Sequence, residues 1–316
     1  MTESLRIGVV GVGYLGKIHA RIYSRLPNVE LIGVADIDPA AAKASAKECD
    51  CLAYTDASVL LDKVDAVSIV VPTVHHLSVA RPFLERGIHV LLEKPIASTL
   101  EEGTEIVRLA ERSGAVLQIG HLERYNAGVM RLAARIKNPR FIEAHRIGEF
   151  VARATDVDVV SDLMIHDIDI ILSLVGAPLR AVSATGLPVL TDHVDIANAH
   201  LEFANGCVAN VTASRVSYKR LRRIRVFEEH RYEALNFIDQ QIDSVRMLPF
   251  GIDQERPEIV RERVEIEPRQ PLDAELADFI ETIHRRGKPL VDGAAGLEVL
   301  RVAMEVKKSM EGRTSY

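Results

Sequence analysis

The sequence predicts an α/β protein with a doubly wound parallel sheet at the N-terminus and a second, largely antiparallel sheet after it. Three observations predict this. Short apolar runs alternate with helical patterns over the first 120 residues or so, and a glycine-rich loop follows the first run directly. After about residue 121 the texture changes to strand-like runs joined by hairpin signals. Continuous apolar strands are the mark of a parallel sheet covered by helices on both faces, and βαβα order implies a doubly wound sheet.

The N-terminal strands are LRIGVV (5–10), ELIGVA (30–35), DAVSIVV (65–71), IHVLLE (88–93) and AVLQIG (115–120). Helical spacing between them falls near 14–26, 39–48, 75–86 and 99–113. Beyond residue 121 the strand-like runs lie near 140–150, 179–186, 195–204, 207–215, 221–228 and 231–238, with Asn205-Gly206 as a hairpin turn. Helix returns near 272–286 and 294–311. The expected domains are therefore 1–121 and 122–316, with the last helices able to pack back on the first domain.

The 316 residues suffice for two cores. The formal net charge of −6 argues against nucleic acid as a partner. No apolar run is long enough to span a membrane, and the first residues lack a signal-peptide pattern. Three cysteines, Cys49, Cys51 and Cys207, are too few for a disulfide framework or a zinc site. A cytoplasmic protein is expected.

Gly11-Val12-Gly13-Tyr14-Leu15-Gly16 is G-x-G-x-x-G between a strand and a helix. The first glycine permits the tight turn, the second lets a pyrophosphate approach, and the third brings helix and strand together. The helix N-terminus supplies N–H groups and positive dipole to the phosphates. At the end of the next strand, Asp36 can accept from both ribose hydroxyls and would repel a 2′-phosphate, which favours NAD over NADP. Val71-Pro72-Thr73 ends a further strand, and strand C-termini line the ligand crevice. Thr73 and His76 can touch the cofactor there; the competing reading is a helix cap followed by two half-exposed histidines.

Lys94 closes the next strand, in LLEKP. A residue before proline is held extended. Lys94 can hydrogen-bond a substrate hydroxyl, and desolvation would bring its pKa toward values useful in acid–base work. A surface lysine at a strand end is the alternative.

The segment SDLMIHDIDI (161–170) is apolar almost all round when drawn as a helix, which marks a buried helix. Asp162, His166 and Asp169 share one stripe, extended by Ser173. Asp167 points into the apolar arc and needs a buried partner, so its expected role is structural. No third ligand is spaced to join Asp162 and His166 around a metal, and no metal is expected.

Together GVVGVGYLG, VPTVHH (71–76), LLEKP (91–95), Asp162-x-x-x-His166 and KPLVDGAAGLEVLRVAMEVKKS (288–309) resemble the Gfo/Idh/MocA oxidoreductase family over nearly the whole chain. The resemblance implies an N-terminal Rossmann domain and a C-terminal α/β domain whose open, mainly antiparallel sheet forms a homo-oligomer interface. It also implies NAD(P)-dependent oxidation of a sugar hydroxyl. The family's catalytic lysine falls on Lys94, and its catalytic Asp and His fall on Asp162 and His166, so the polar stripe is expected to face the cofactor crevice. His166 suits general-base work at neutral pH. The expected cofactor set is Gly11, Gly13, Tyr14, Leu15, Gly16, Asp36, Pro72, Thr73, His76, Glu93 and Lys94.

GHLERYNAGV (120–129) is similar to a segment of the family's UDP-N-acetylglucosamine 3-dehydrogenase branch, with Tyr125 and Ala127 replacing Phe and Pro. Arg124, Tyr125 and Asn126 follow the last parallel strand and are expected to contact substrate, together with Asp162 and His166. The implied substrate is a nucleotide sugar, oxidised at its 3-hydroxyl. A free sugar or polyol, such as an inositol, is the alternative, and a non-catalytic NAD-binding sensor is a third. Residues 219–225 are the most basic stretch; a solvated strand face and a diphosphate-docking surface both fit it.

Overall fold

The computed structural model describes residues 4–151, 157–248, 257–267 and 269–311. The chain divides into two compact units, 1–125 with 270–300 and 126–269 with 301–316.

The first unit holds six parallel strands: β1 (Leu5–Val10), β2 (Val29–Ala35), β3 (Leu52–Tyr54), β4 (Ala66–Ile69), β5 (His89–Glu93) and β6 (Leu117–Gly120). Their order is β3-β2-β1-β4-β5-β6, the doubly wound arrangement with its switch point beside β1. Helices α1 (Tyr14–Tyr23), α2 (Pro39–Cys49), α3 (His76–Glu85) and α4 (Leu100–Ser113) alternate with the strands. The helix limits follow local chemistry. Asp38 caps α2 by accepting from the Ala40 N–H at 2.8 Å, with Pro39 fixing its first turn. Thr99 caps α4 by accepting from the Glu102 N–H at 3.2 Å. Gly114, at φ 71°, ends that helix in the left-handed region, as glycine does at many helix C-termini. The C-terminal α7 (Pro271–His284) lays Leu276, Phe279, Ile280 and Ile283 on the core formed by Ile7, Val9, Tyr23, Val34 and Leu91.

The second unit is built on an eight-stranded sheet ordered β14-β13-β12-β11-β7-β10-β9-β8. These strands are β7 (Phe141–Ile147), β8 (Leu179–Leu187), β9 (Ile196–Phe203), β10 (Val208–Ser214), β11 (Leu221–Glu228), β12 (Arg231–Asn236), β13 (Gln241–Met247) and β14 (Ile259–Glu265). All pairings are antiparallel except β7 with β10. The expected Asn205-Gly206 hairpin joins β9 to β10, with the Asn205 side-chain oxygen accepting from the Cys207 N–H at 3.1 Å. Helix α5 (Ala127–Ala133) precedes the sheet, and α6 (Ile165–Val175) packs on β7 and β10. The last helix, α8 (Gly293–Glu311), begins in the first unit and ends in the second.

Residues 141–147 alternate cleanly, as a strand with one face against a core must. Ile142, Ala144 and Arg146 are buried on the α6 side, while Phe141, Glu143 and His145 point the other way. Arg146 is 4% exposed. It survives there because Asp167 of α6 meets it: Nε donates to Oδ2 at 2.9 Å and Nη2 to Oδ1 at 3.0 Å. This is the buried partner that Asp167 requires. Removing one member of such a pair strands the other charge, at a cost of about 3–5 kcal/mol.

Candidate active site

The glycine loop occupies the turn between β1 and α1, and each glycine has its own reason. Gly11 has φ 86°, and a Cβ on it would lie 2.4 Å from the Val70 carbonyl oxygen; only glycine takes that conformation without penalty. A Cβ on Gly16 would lie 1.9 Å from the Gly11 carbonyl oxygen, so helix and loop touch only because residue 16 is glycine. Gly13 is different: a Cβ there would meet nothing within 4 Å. Protein packing does not require a glycine at that position, whereas a phosphate approaching the backbone does. Gly13 is also the N-cap of α1 and brings no side-chain cap, unlike Asp38 and Thr99. The first-turn N–H groups of α1 therefore suit a pyrophosphate.

A cavity of about 530 Å³ opens beside this loop, lined among others by Gly13, Asp36, Ile37, Pro72, His75 and Val79. Asp36 is held from two sides. Its Oδ2 accepts from the Val12 N–H at 2.7 Å and its Oδ1 from the Asp38 N–H at 2.9 Å. The carboxylate is thus fixed at the end of β2, at the cavity wall, and the residues present fit a dinucleotide.

The paired histidines divide differently from expectation. His75 lines the cavity, but His76 turns inward as α3 begins. Its Nε2 lies 3.0 Å from the Val71 carbonyl oxygen and its Nδ1 3.3 Å from that of Ile96. Burial holds His76 below the usual imidazole range. One step along a helix turns the side chain by more than a quarter of a circle, which separates the exposed histidine from the buried one. Thr73 sits in the short 3₁₀ turn before α3. Tyr14 is largely exposed and Leu15 half-buried at the start of α1.

Glu93 and Lys94 stand together at the C-terminal end of β5, both half-buried, and the Lys94–Pro95 peptide is cis. Past β6, Tyr125 and Asn126 carry structural bonds. The Tyr125 hydroxyl donates to Asp278 Oδ2 at 2.8 Å, and burial pushes that phenol upward. Asn126 caps α5, accepting from the Gly128 N–H at 2.9 Å. Arg124 stays half-buried, with its charge felt at His121.

His121 has no counterpart in the sequence expectations. It is 1% exposed, and neither ring nitrogen bonds another group among the described residues. Burial, then the charges of Lys94 and Arg124, push its pKa down to about 3. The neutral ring therefore sits in the folded protein at a pH where the unfolded chain binds a proton. Stability is full above the unfolded value of about 6.5 and falls as the pH drops from there toward about 3. One extra proton on the unfolded chain gives a slope of up to ~1.4 kcal/mol per pH unit. Urea unfolding between pH 7 and 4.5 should show this slope, and His121→Gln should flatten it by nearly one proton. An unchanged slope would mean that His121 is protonated in the folded state.

In the second unit, the segment before α6 is not regular helix. Residues Val160–Met164 form a π turn, followed directly by α6. The pitch around Asp162 is therefore wider than that of a regular helix; π turns are frequent at functional sites. Asp162 and His166 are half-buried, Asp169 is 1% exposed, and Ser173 turns back to donate to the Ile170 carbonyl at 2.6 Å. Asp162 lines a cavity of about 370 Å³ together with Arg146, Arg215, Arg220 and Arg222.

The basic stretch splits by strand alternation. Arg222 pairs in register with Arg146 and shares its face and cavity. Arg223 and Arg225 point to the opposite face, where Arg223 donates to the Tyr232 hydroxyl at 2.9 Å and Arg225 pairs with Glu143. Arg146 is matched by Asp167, and Arg215 lies 3.8 Å from Asp195. The Asp195 carboxyl is held low by the backbone N–H groups of Leu190, Val189 and Thr191, which outweigh its burial.

A parallel sheet of this order, a glycine loop with a vacant Cβ direction at Gly13, and a fixed carboxylate after β2 define a dinucleotide-binding oxidoreductase fold. Residues 5–121 match the oxidoreductase family described as an NAD-binding Rossmann fold (Gfo/Idh/MocA), and residues 129–231 match the family's C-terminal domain. The chain belongs to this family. It is 38% identical over 308 residues to the UDP-N-acetylglucosamine 3-dehydrogenase of Acidithiobacillus ferrooxidans, covering 97% of both chains. A solved structure of that enzyme superposes with a TM-score of 0.91 at 37% identity, covering 99% of each chain. The scyllo-inositol dehydrogenase of Lactobacillus casei, solved with NAD(H) and scyllo-inositol, gives a TM-score of 0.82 at 20% identity over 98% of each chain, a likeness of fold.

Proposed function

We propose that this protein oxidises the 3-hydroxyl of UDP-N-acetylglucosamine to a 3-keto sugar, with NAD as the oxidant. The observation that carries the reading is the 38% identity, over 97% of both chains, to a relative bearing that activity. The arginine-lined cavity beside Asp162 supports it, because guanidinium forks match diphosphate oxygens and an inositol offers none.

When bound, NAD accepts hydride at C4 of its nicotinamide. The chain's own residues do the rest. Lys94 donates a hydrogen bond to the sugar oxygen and stabilises the charge that develops there. His166 removes the hydroxyl proton as general base, and Asp162 orients the sugar. Arg220 and Arg222 take the diphosphate. The cysteines Cys49, Cys51 and Cys207 are free, as in a reducing compartment, which we assign to the cytoplasm. No helix among the described residues is long and apolar enough to cross a membrane. The sheet face away from α6 carries Phe141, Phe227 and Tyr232, with the Phe227 ring packed between the other two, and we assign homo-oligomer formation to that face.

The test mixes purified protein, NAD and UDP-N-acetylglucosamine, with a glutamate-dependent transaminase to draw off the ketone, and follows NADH absorbance. Sustained NADH formation that requires the UDP-sugar is expected. Arg222→Ala should raise its KM about tenfold, the loss of one charge-assisted bond, while Arg223→Ala leaves it unchanged. Turnover with scyllo-inositol, and none with the UDP-sugar, would overturn the substrate.

A further inference from the structure

Helix α1 turns Gly16, His19, Ala20 and Tyr23 toward the sheet, and the His19 ring reaches two strands. It is 0% exposed, and the Tyr23 ring packs edge-on to it, with centroids 6.5 Å apart. Its Nδ1 lies 2.8 Å from Ser68 Oγ on β4, itself fully buried. Its Nε2 lies 3.3 Å from Glu93 Oε1 on β5. When the Ser68 hydroxyl donates to Nδ1, the ring proton sits on Nε2, within ion-pair distance of the carboxylate though outside hydrogen-bond geometry.

Glu93 is held on its other sides as well. Its Oε2 accepts from the Lys94 N–H at 3.3 Å. A Cβ on Gly120 would lie 2.9 Å from its carboxyl carbon and from both oxygens, so the carboxylate lies flat on a glycine that leaves it room. The Glu93 side chain keeps 12% exposure. It stands at the C-terminal end of β5, the sheet edge where ligands of doubly wound folds bind. A core histidine that merely filled space would need only the Ser68 contact. Here the second nitrogen faces a carboxylate that also touches the backbone of the expected catalytic lysine.

We propose that His19 is a positioning residue: it fixes the Glu93 carboxylate, and through Glu93 sets how the β5 end meets the nicotinamide half of NAD. The dehydrogenase reading enters only in placing the nicotinamide at that strand end. The chain Ser68–His19–Glu93 tethers the end of β5 to α1, the helix that carries the glycine loop, so both halves of the cofactor are held by one helix.

The test is a binding experiment and needs no sugar. NADH is titrated by its fluorescence, and ADP by competition, in four variants. His19→Asn keeps an amide on the Ser68 side and gives up Glu93; His19→Gln reaches Glu93. We expect NADH binding to weaken about tenfold in H19N and in E93Q, and no further in the double variant, because both remove one interaction. H19Q should restore binding to within about threefold. ADP, which lacks the nicotinamide half, should bind equally well to all four, which separates positioning from damage to the fold. Multiplying losses in the double variant, no loss in H19N, or an equal loss of ADP binding would each overturn the proposal. Absence of turnover with UDP-N-acetylglucosamine would overturn only the substrate reading.

Discussion

Lys94→Met should lower kcat by about a thousandfold while NADH still binds within about threefold of the wild type, since a thousandfold is about 4 kcal/mol of transition-state stabilisation. A lysine at the end of a buried strand is preorganised, because the backbone of β5 is already fixed by β4 and β6 on either side. The ammonium gains most when negative charge grows on the substrate oxygen, so kcat and kcat/KM should fall together. Methionine keeps the length and apolar stem of the side chain and removes the charge. His166→Ala tests the other half of the proton transfer. Loss of a general base costs about 10²–10⁴-fold, and the acid limb of the pH–rate profile should disappear with it. Near-full activity in both variants would remove Lys94 and His166 from the chemistry and return the protein to the NAD-binding sensor reading.

Much of the fold was legible because its signals are local. The parallel strands β1, β2, β4, β5 and β6 are continuous apolar runs. The first four helices carry apolar spacing, with caps at Asp38 and Thr99. What escaped has physical reasons. Strand β3 is three residues long and largely exposed. Strand β14, IVRERVE, is more than half charged, as exposed edge strands are. The π turn at Val160–Met164 leaves no compositional trace, so the sequence pattern reads it as regular helix.

In the candidate site, the glycines and Asp36 were readable because their spacing is their function. His75 and His76 were not separable, since only the starting point of α3 decides which one faces the cavity. His19 and His121 escaped because each looks in sequence like an ordinary residue near a glycine. A polar residue three positions after Gly16, on the face that Ala20 and Tyr23 commit to the core, was the available signal for His19.

The preference for NAD over NADP should rest on Asp36 more than on any other side chain. Two backbone N–H groups, from Val12 and Asp38, hold its carboxylate at the end of β2, so it cannot swing away from a 2′-phosphate. Two negative charges about 4–5 Å apart repel by roughly 3–4 kcal/mol at the effective dielectric of a protein surface. The same carboxylate, accepting from ribose hydroxyls, contributes about 1.5–3 kcal/mol to NAD through a charged hydrogen bond. Both effects reverse together in Asp36→Ser. NADH should bind about 10–100-fold more weakly, NADPH more tightly, and the ratio of the two dissociation constants should move by roughly three to five orders of magnitude. Asp36→Asn separates the causes. It keeps an oxygen for a ribose hydroxyl and loses the charge, so NADPH should gain while NADH loses less than in the serine variant. Fluorescence titration of both cofactors against the three proteins reads this directly. If the ratio stays within about threefold of the wild type in D36S, a spread the charge argument does not allow, then the cofactor is selected elsewhere along the cavity. The neighbouring wall formed by Ile37, Thr55 and Ala57 would then be the place to look.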